Sequence, residues 1–325
     1  MTPVRVAASL AALLSAAPAQ VDGKVRYKDG DYAADALPES APSTLREALS
    51  GYAPLLQRLK LRGYVAQQES CCLLHTGRLH NASSLQATID KTNALFAAAW
   101  GTRTDAEPNV VIVLDKQEDL GAVVDFLVPK YPYLGPWGKG ARSLGGFNLY
   151  TPPLYVVVND TRPKTEFRLA NQVVHQQTLL ILWREFRRQP FWLHEGLGWV
   201  AEEEVTSSIH AFNHRVGFVA VTEHAGWRQK LRLLVKDEPE WQRVLTTVPT
   251  AYDQKLSLYA YGFARFLLQL PDHGKQLLTA LGEAWWKKSG EGKQPQEELS
   301  SDEQLKVFAD VLGADYAAQV LAAMR

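Results

Sequence analysis

Residues 171–204, NQVVHQQTLLILWREFRRQPFWLHEGLGWVAEEE, set the tightest limits on what this chain can fold into. They read as two consecutive helices, one over 168–187 bearing His175 and one over 192–204. Glu195 falls at the start of the second, where a carboxylate complements the positive end of the helix dipole. A buried carboxylate also needs a partner, because an unpaired buried charge is expensive. His175 is the predicted partner, and a separation beyond about 8 Å would exclude it, since side-chain hydrogen bonds need heavy atoms near 3 Å.

The segment Pro190-Phe191-Trp192-Leu193-His194-Glu195-Gly196-Leu197-Gly198 resembles the P-x-W-L-x-E-G-L-A segment of gluzincin metallopeptidases. The likeness is nearest to the small peptidase-MA-like domains of exported bacterial proteins. It implies that Glu195 stands at the third zinc ligand and that residues 175–179 stand where the family carries H-E-x-x-H. In that motif two histidines four apart share one helical face and hold a zinc ion, while the Glu polarises the attacking water. Here the five positions read His175-Gln176-Gln177-Thr178-Leu179. The first ligand is present, but Gln176 at the base position cannot accept a proton, and Leu179 at the second ligand position has no lone pair.

A catalytic zinc takes three protein ligands and keeps a fourth place for water. Only His175 and Glu195 remain. Loss of an outer hydrogen-bonding partner alone costs ~10–100-fold in metal affinity, and loss of the base removes roughly 10²–10⁴ in rate. The expectation is therefore a catalytically inactive relative with no cofactor, serving as a binding or structural module whose old cleft takes a peptide or protein. The alternative is an active zinc-dependent hydrolase with a rearranged site, built on His175, Glu195 and His210 or His214; separately, the i, i+4 pair His210 and His214, with His194 or His224 nearby, is a candidate for a displaced metal site.

Other readings of the same residues stay open. His175 can be a satisfied core histidine, half of a weak metal site, or a proton-transfer partner of Glu195. Glu202, Glu203 and Glu204 read as a solvated face, with Glu202 a candidate for the cleft. The resemblance also extends to 256–268, LSLYAYGFARFLL, like the family helix that packs behind the site and sometimes turns a Tyr toward substrate. It makes Tyr259 and Tyr261 cleft candidates, and it implies that 145–150, with Phe147, form the strand flanking the cleft. His194 is a further cleft candidate.

The fold class predicted is α+β: a zincin-like mixed sheet with a motif helix, then a mainly helical C-terminal half. The division expected is a signal peptide at 1–19, a leader and short helix at 20–62, an α/β subdomain with the motif helix at 63–204 and a helical subdomain at 205–325. Arg5, the Ala/Leu-rich run 6–17 and the Ala17-Pro18-Ala19 cleavage pattern carry the first of these, implying a secreted or periplasmic protein. No stretch of the mature chain reaches the 18 or more apolar residues of a membrane span. A helix is predicted at 44–61 with a break near Gly51, a strand or hairpin at 63–76, an amphipathic helix at 85–100, and a doubly buried strand at 109–114. A short helix follows at 120–127, then a Gly/Pro-rich loop at 132–146 and two strands at 147–150 and 154–158. Ser300 with Glu303 has the spacing of a capping box.

With 35 basic and 35 acidic side chains the formal charge is zero, which gives no general pull toward nucleic acid or an anionic membrane. Cys71 and Cys72 are adjacent, so they read as two small apolar strand residues rather than a cross-link or a thiolate metal site. No G-x-S-x-G elbow and no phosphate-binding loop is present. Asn81 and Asn159 begin glycosylation sequons.

Overall fold

A computed structural model describes residues 25–26, 43–60, 62–65, 71–75, 82–103, 109–142, 145–150, 153–159, 169–210, 226–234, 241–247, 252–289 and 298–324. The signal-peptide segment, His214, His224, Asn81 and most of the expected leader lie outside these residues. The structure is α+β, mostly helical with one mixed sheet. Among the described residues no single helix is long and apolar enough to cross a membrane. The chain divides into two compact units, and the break falls after Val173, inside the motif helix, rather than after Glu204.

The first unit carries the sheet. Its strands are β1 (Val25–Arg26), β2 (Arg62–Val65), β3 (Cys71–His75), β4 (Asn109–Leu114), β5 (Gly146–Tyr150) and β6 (Pro153–Val158), in the order β1-β2-β3-β4-β6-β5. β3, β4 and β6 run parallel, Val111 pairing with Leu73 on one side and Tyr155 on the other; the remaining neighbours are antiparallel. All six residues of β4 are buried, as its unbroken β-branched run requires of a central strand. Val110, Ile112 and Leu114 share one core with Leu154 and Val156 of β6 and with Tyr52, Leu55 and Leu56 of helix α1 (Ser43–Leu59). Leu120, Val123, Val124 and Leu127 of helix α3 (Gln117–Lys130) complete it.

Two expectations are corrected here. α1 runs unbroken through Gly51, because a helical glycine costs about 1 kcal/mol against alanine, less than burying Tyr52, Leu55 and Leu56 at ~1.5–3 kcal/mol each returns. The Gly/Pro-rich loop contains a 3₁₀ turn (Pro132–Leu134) and a short helix, α4 (Gly135–Ala141). In each, proline stands in the first turn, where its missing N–H is not needed.

The second unit holds residues 92–102, the later part of helix α2 (Ala82–Trp100), and everything from Val174 onward. Its helices are α5 (Leu169–Phe186, from Val174), α6 (Phe191–Thr206), α7 (Trp227–Leu234), α8 (Trp241–Thr246), α9 (Gln254–Gln269), α10 (Pro271–Ser289), α11 (Ser301–Leu312) and α12 (Tyr316–Met324). α6 and α9 cross so closely that a Cβ on Gly196 would stand 2.5 Å from the Ala260 carbonyl oxygen. Trp192 of α6 packs edge-on to Phe263 and Phe308, and its indole N–H donates to Gln304 at 2.9 Å. The capping box forms at α11: Glu303 N–H donates to the Ser300 hydroxyl, and Ser300 N–H to the Glu303 carboxylate.

Candidate functional site

α5 is buried on every side from Val174 to Leu182, so each polar residue it carries needs a partner inside the protein. Gln177 donates to Asn93 of α2 at 2.8 Å, and the Thr178 hydroxyl returns to the Val174 carbonyl. His175 faces α6.

On α6 the residues Glu195, Gly198 and Glu202 recur at i, i+3 and i+7, which sets them along one face. The His175 ring lies across that face. A Cβ on Gly198 would stand 2.5 Å from Cε1 and 2.7 Å from Nδ1, so only glycine leaves room for the imidazole. One ring nitrogen then meets each carboxylate: Nδ1 is 2.7 Å from Glu202 Oε1, and Nε2 is 3.2 Å from Glu195 Oε2. The second oxygen of Glu202 accepts the His210 backbone N–H at 2.5 Å. Glu202 and His175 side chains are 1% and 3% exposed, whereas that of Glu195 is 15% exposed and forms the accessible end of the triad.

An ionised carboxylate accepts hydrogen bonds and donates none, so the ring is best matched to this pair as an imidazolium donating from both nitrogens. Burial pushes the His175 pKa down, but the Glu195 charge and the hydrogen bonds to Glu195 and Glu202 more than reverse this and raise it to about 10. His194 beside it goes the other way. Burial presses it down to about 4, with the His175 and Arg188 charges adding to the effect, while Glu195 and a hydrogen bond to the Leu179 backbone oppose it.

These donors do not fit the zinc ion that the resemblance implies. His175 and Glu195 are two side chains where a catalytic zinc takes three, Leu179 offers hydrocarbon one turn along, and Gln176 is a buried amide. Among the described residues no group of three or more His, Cys, Asp or Glu side chains is placed to hold a metal ion. A carboxylate on one ring nitrogen is how a ligating imidazole is usually oriented. Here Glu202 stands in that place on Nδ1, and Glu195 lies against Nε2.

No family model and no curated protein matches this chain.

Several sequence expectations are relocated. Glu202 is not part of a solvated face, because helical periodicity turns it inward with Glu195. Glu203 is also half-enclosed, accepting from the Tyr261 hydroxyl (2.5 Å), Arg265 Nη1 (2.9 Å) and Arg228 Nε (2.9 Å). Burial raises its pKa, and the hydrogen bonds from Tyr261 and Arg228 outweigh that and lower it. The Tyr261 hydroxyl donates to Glu203, and that of Tyr259 reaches the Leu234 carbonyl at 3.4 Å. Phe147 lies in the apolar core of the first unit, on the face of β5 shared with Leu149. His210 meets the triad through its backbone, and the His210–His214 pair falls partly outside the described residues.

Tyr252 had no expected role. It is fully buried, edge-on to Phe191 at the start of α6, and its hydroxyl has no hydrogen-bond partner among the described residues. Burial first, then the charges of Asp253 and Glu195, raise its pKa. Nothing local in the sequence marks it out.

Proposed function

We propose that this chain is a catalytically inactive, peptidase-MA-like protein of the gluzincin type, exported to a secreted or periplasmic location, that works as a binding or structural module for a peptide or protein. The observation that carries this reading is that Gln176 and Leu179, both buried on α5 beside His175, stand where a base and a second ligand are needed. The base position is an amide and the second ligand position is a hydrocarbon. A water-activating step has neither a metal donor set nor a base.

The order of elements supports the zincin-like fold: a mixed sheet, then a helix with the vestigial motif, then a helix opening on Trp192-Leu193-His194-Glu195-Gly196. Purified protein analysed for metal content and for chelator-sensitive peptide cleavage tests the proposal. The expected result is substoichiometric zinc and no such cleavage; stoichiometric zinc with hydrolysis that a chelator stops would overturn it.

A further inference from the structure

The zero net charge of the chain hides a local asymmetry at the end of α10. A Cβ on Gly282 would collide with the Phe186 carbonyl, so α10 crosses directly against the end of α5. Arg187 closes α5 in the left-handed region, with φ 62° and its N–H on the Trp183 carbonyl. A non-glycine residue is strained there, so the surrounding packing must enforce it. The outcome is a pair of adjacent stacks: the Arg187 guanidinium 4.7 Å over the Trp286 ring, and that of Arg188 4.3 Å over Trp285.

The two stacks differ in exposure. Trp285 is buried and Arg188 pairs with Glu298, whereas Trp286 is 39% exposed and Arg187 is exposed beside it. Lys287 follows, also exposed, while Lys288 is bound to Glu303. Among the described residues no carboxylate pairs with Arg187 or Lys287. An amphipathic indole is thus stacked by one cation and followed on the helix by a second, with the exposed Glu283 one turn before Lys287.

We propose that this surface, Trp286 with Arg187 and Lys287, docks the protein on a membrane carrying anionic phospholipid. Cations attract the charged headgroups, and a tryptophan settles at the boundary between headgroup and acyl chain. A peptide partner is a poorer match, because peptide recognition uses a sheet edge or an apolar groove, whereas this is the outer turn of a helix beside the four-residue connection 187–190. The inference is independent of the reading of His175.

Sedimentation of the full chain with vesicles tests it, using phosphatidylglycerol mixed with phosphatidylcholine against phosphatidylcholine alone. Binding is expected only to the anionic vesicles and should weaken with salt. Each cation near such a surface contributes about fivefold, so R187N/K287Q should lose roughly thirty-fold in partitioning. W286S should also weaken binding, with thermal melts by circular dichroism checking that each variant is folded. The proposal is overturned if anionic vesicles are not bound or if folded variants bind as the parent does. It is also overturned if R232Q/L233S on α7 abolishes binding while R187N/K287Q does not. Preferential capture by heparin, so that vesicles are excluded at equal charge, counts against it too.

Discussion

Gly198 lies so close beneath the imidazole of His175 that a methyl group on it would stand 2.5 Å from Cε1. Two effects compete when that methyl is added. Alanine favours a helix over glycine by about 1 kcal/mol, but overpacking costs ~1–3 kcal/mol and displacing a buried ion from its partners adds a share of ~3–5 kcal/mol. Gly198→Ala should therefore destabilise by about 2–4 kcal/mol despite its better helix propensity. Urea denaturation checks this, and an unchanged or raised midpoint would show that the ring is not held on that face.

Removing the ring should be worse than crowding it. His175→Ala leaves two carboxylates facing one space with no cation between them, and loss of one partner from a buried pair costs ~3–5 kcal/mol. His175→Gln can still donate to one carboxylate, so it should recover part of that loss. Equal stability of the two variants would mean that hydrogen bonding to Glu195 and Glu202 contributes little.

The two neighbouring histidines predict opposite limbs of a pH profile. The folded pKa of His175, about 10, lies above its ordinary 6.5, so the stability it adds is fully present below pH 6.5 and is lost as pH rises through about 10. For His194 the folded value is about 4, below 6.5. The unfolded chain takes up that proton first, so stability falls as pH drops from 6.5 toward 4. Urea midpoints across this range should flatten on the alkaline side in His175→Gln and on the acid side in His194→Gln. An alkaline limb that survives His175→Gln unchanged would assign it to other groups.

Re-arming the helix asks whether only two residues separate this site from a metal centre. Gln176→Glu with Leu179→His restores a base and a second imidazole beside His175 and Glu195, with Glu202 already placed to orient the first ring. The double variant should bind zinc and gain thermal stability in its presence, by about 2.7 kcal/mol at a hundredfold excess over Kd. The parent should show no shift. A parent that zinc stabilises as much would place a metal site elsewhere in the chain.

What could be read in advance was what depends on local pattern. β4 is a bare β-branched run, the Ser300–Glu303 cap is a three-residue spacing, and the His175–Glu195 contact follows from the need to neutralise a carboxylate at a helix start. What escaped depends on which way a helix faces. Three consecutive glutamates look solvated by composition, but counting i+7 from Glu195 singles out Glu202, and the next step of about 100° carries Glu203 round to Arg228 and Arg265. The helix Gly135–Ala141 was hidden because glycine and proline signal a loop on average, while proline in a first turn does not. Tyr252 and the left-handed Arg187 are set by tertiary packing, which no short window contains.

Glu202 divides its two oxygens between the ring of His175 and the backbone amide of His210. A lineage that lost this carboxylate would surrender a side-chain anchor and a main-chain anchor in one step, and no single replacement elsewhere could restore both. The position should therefore resist drift more strongly than Gln176 or Leu179, even in descendants that have no use for a cleft.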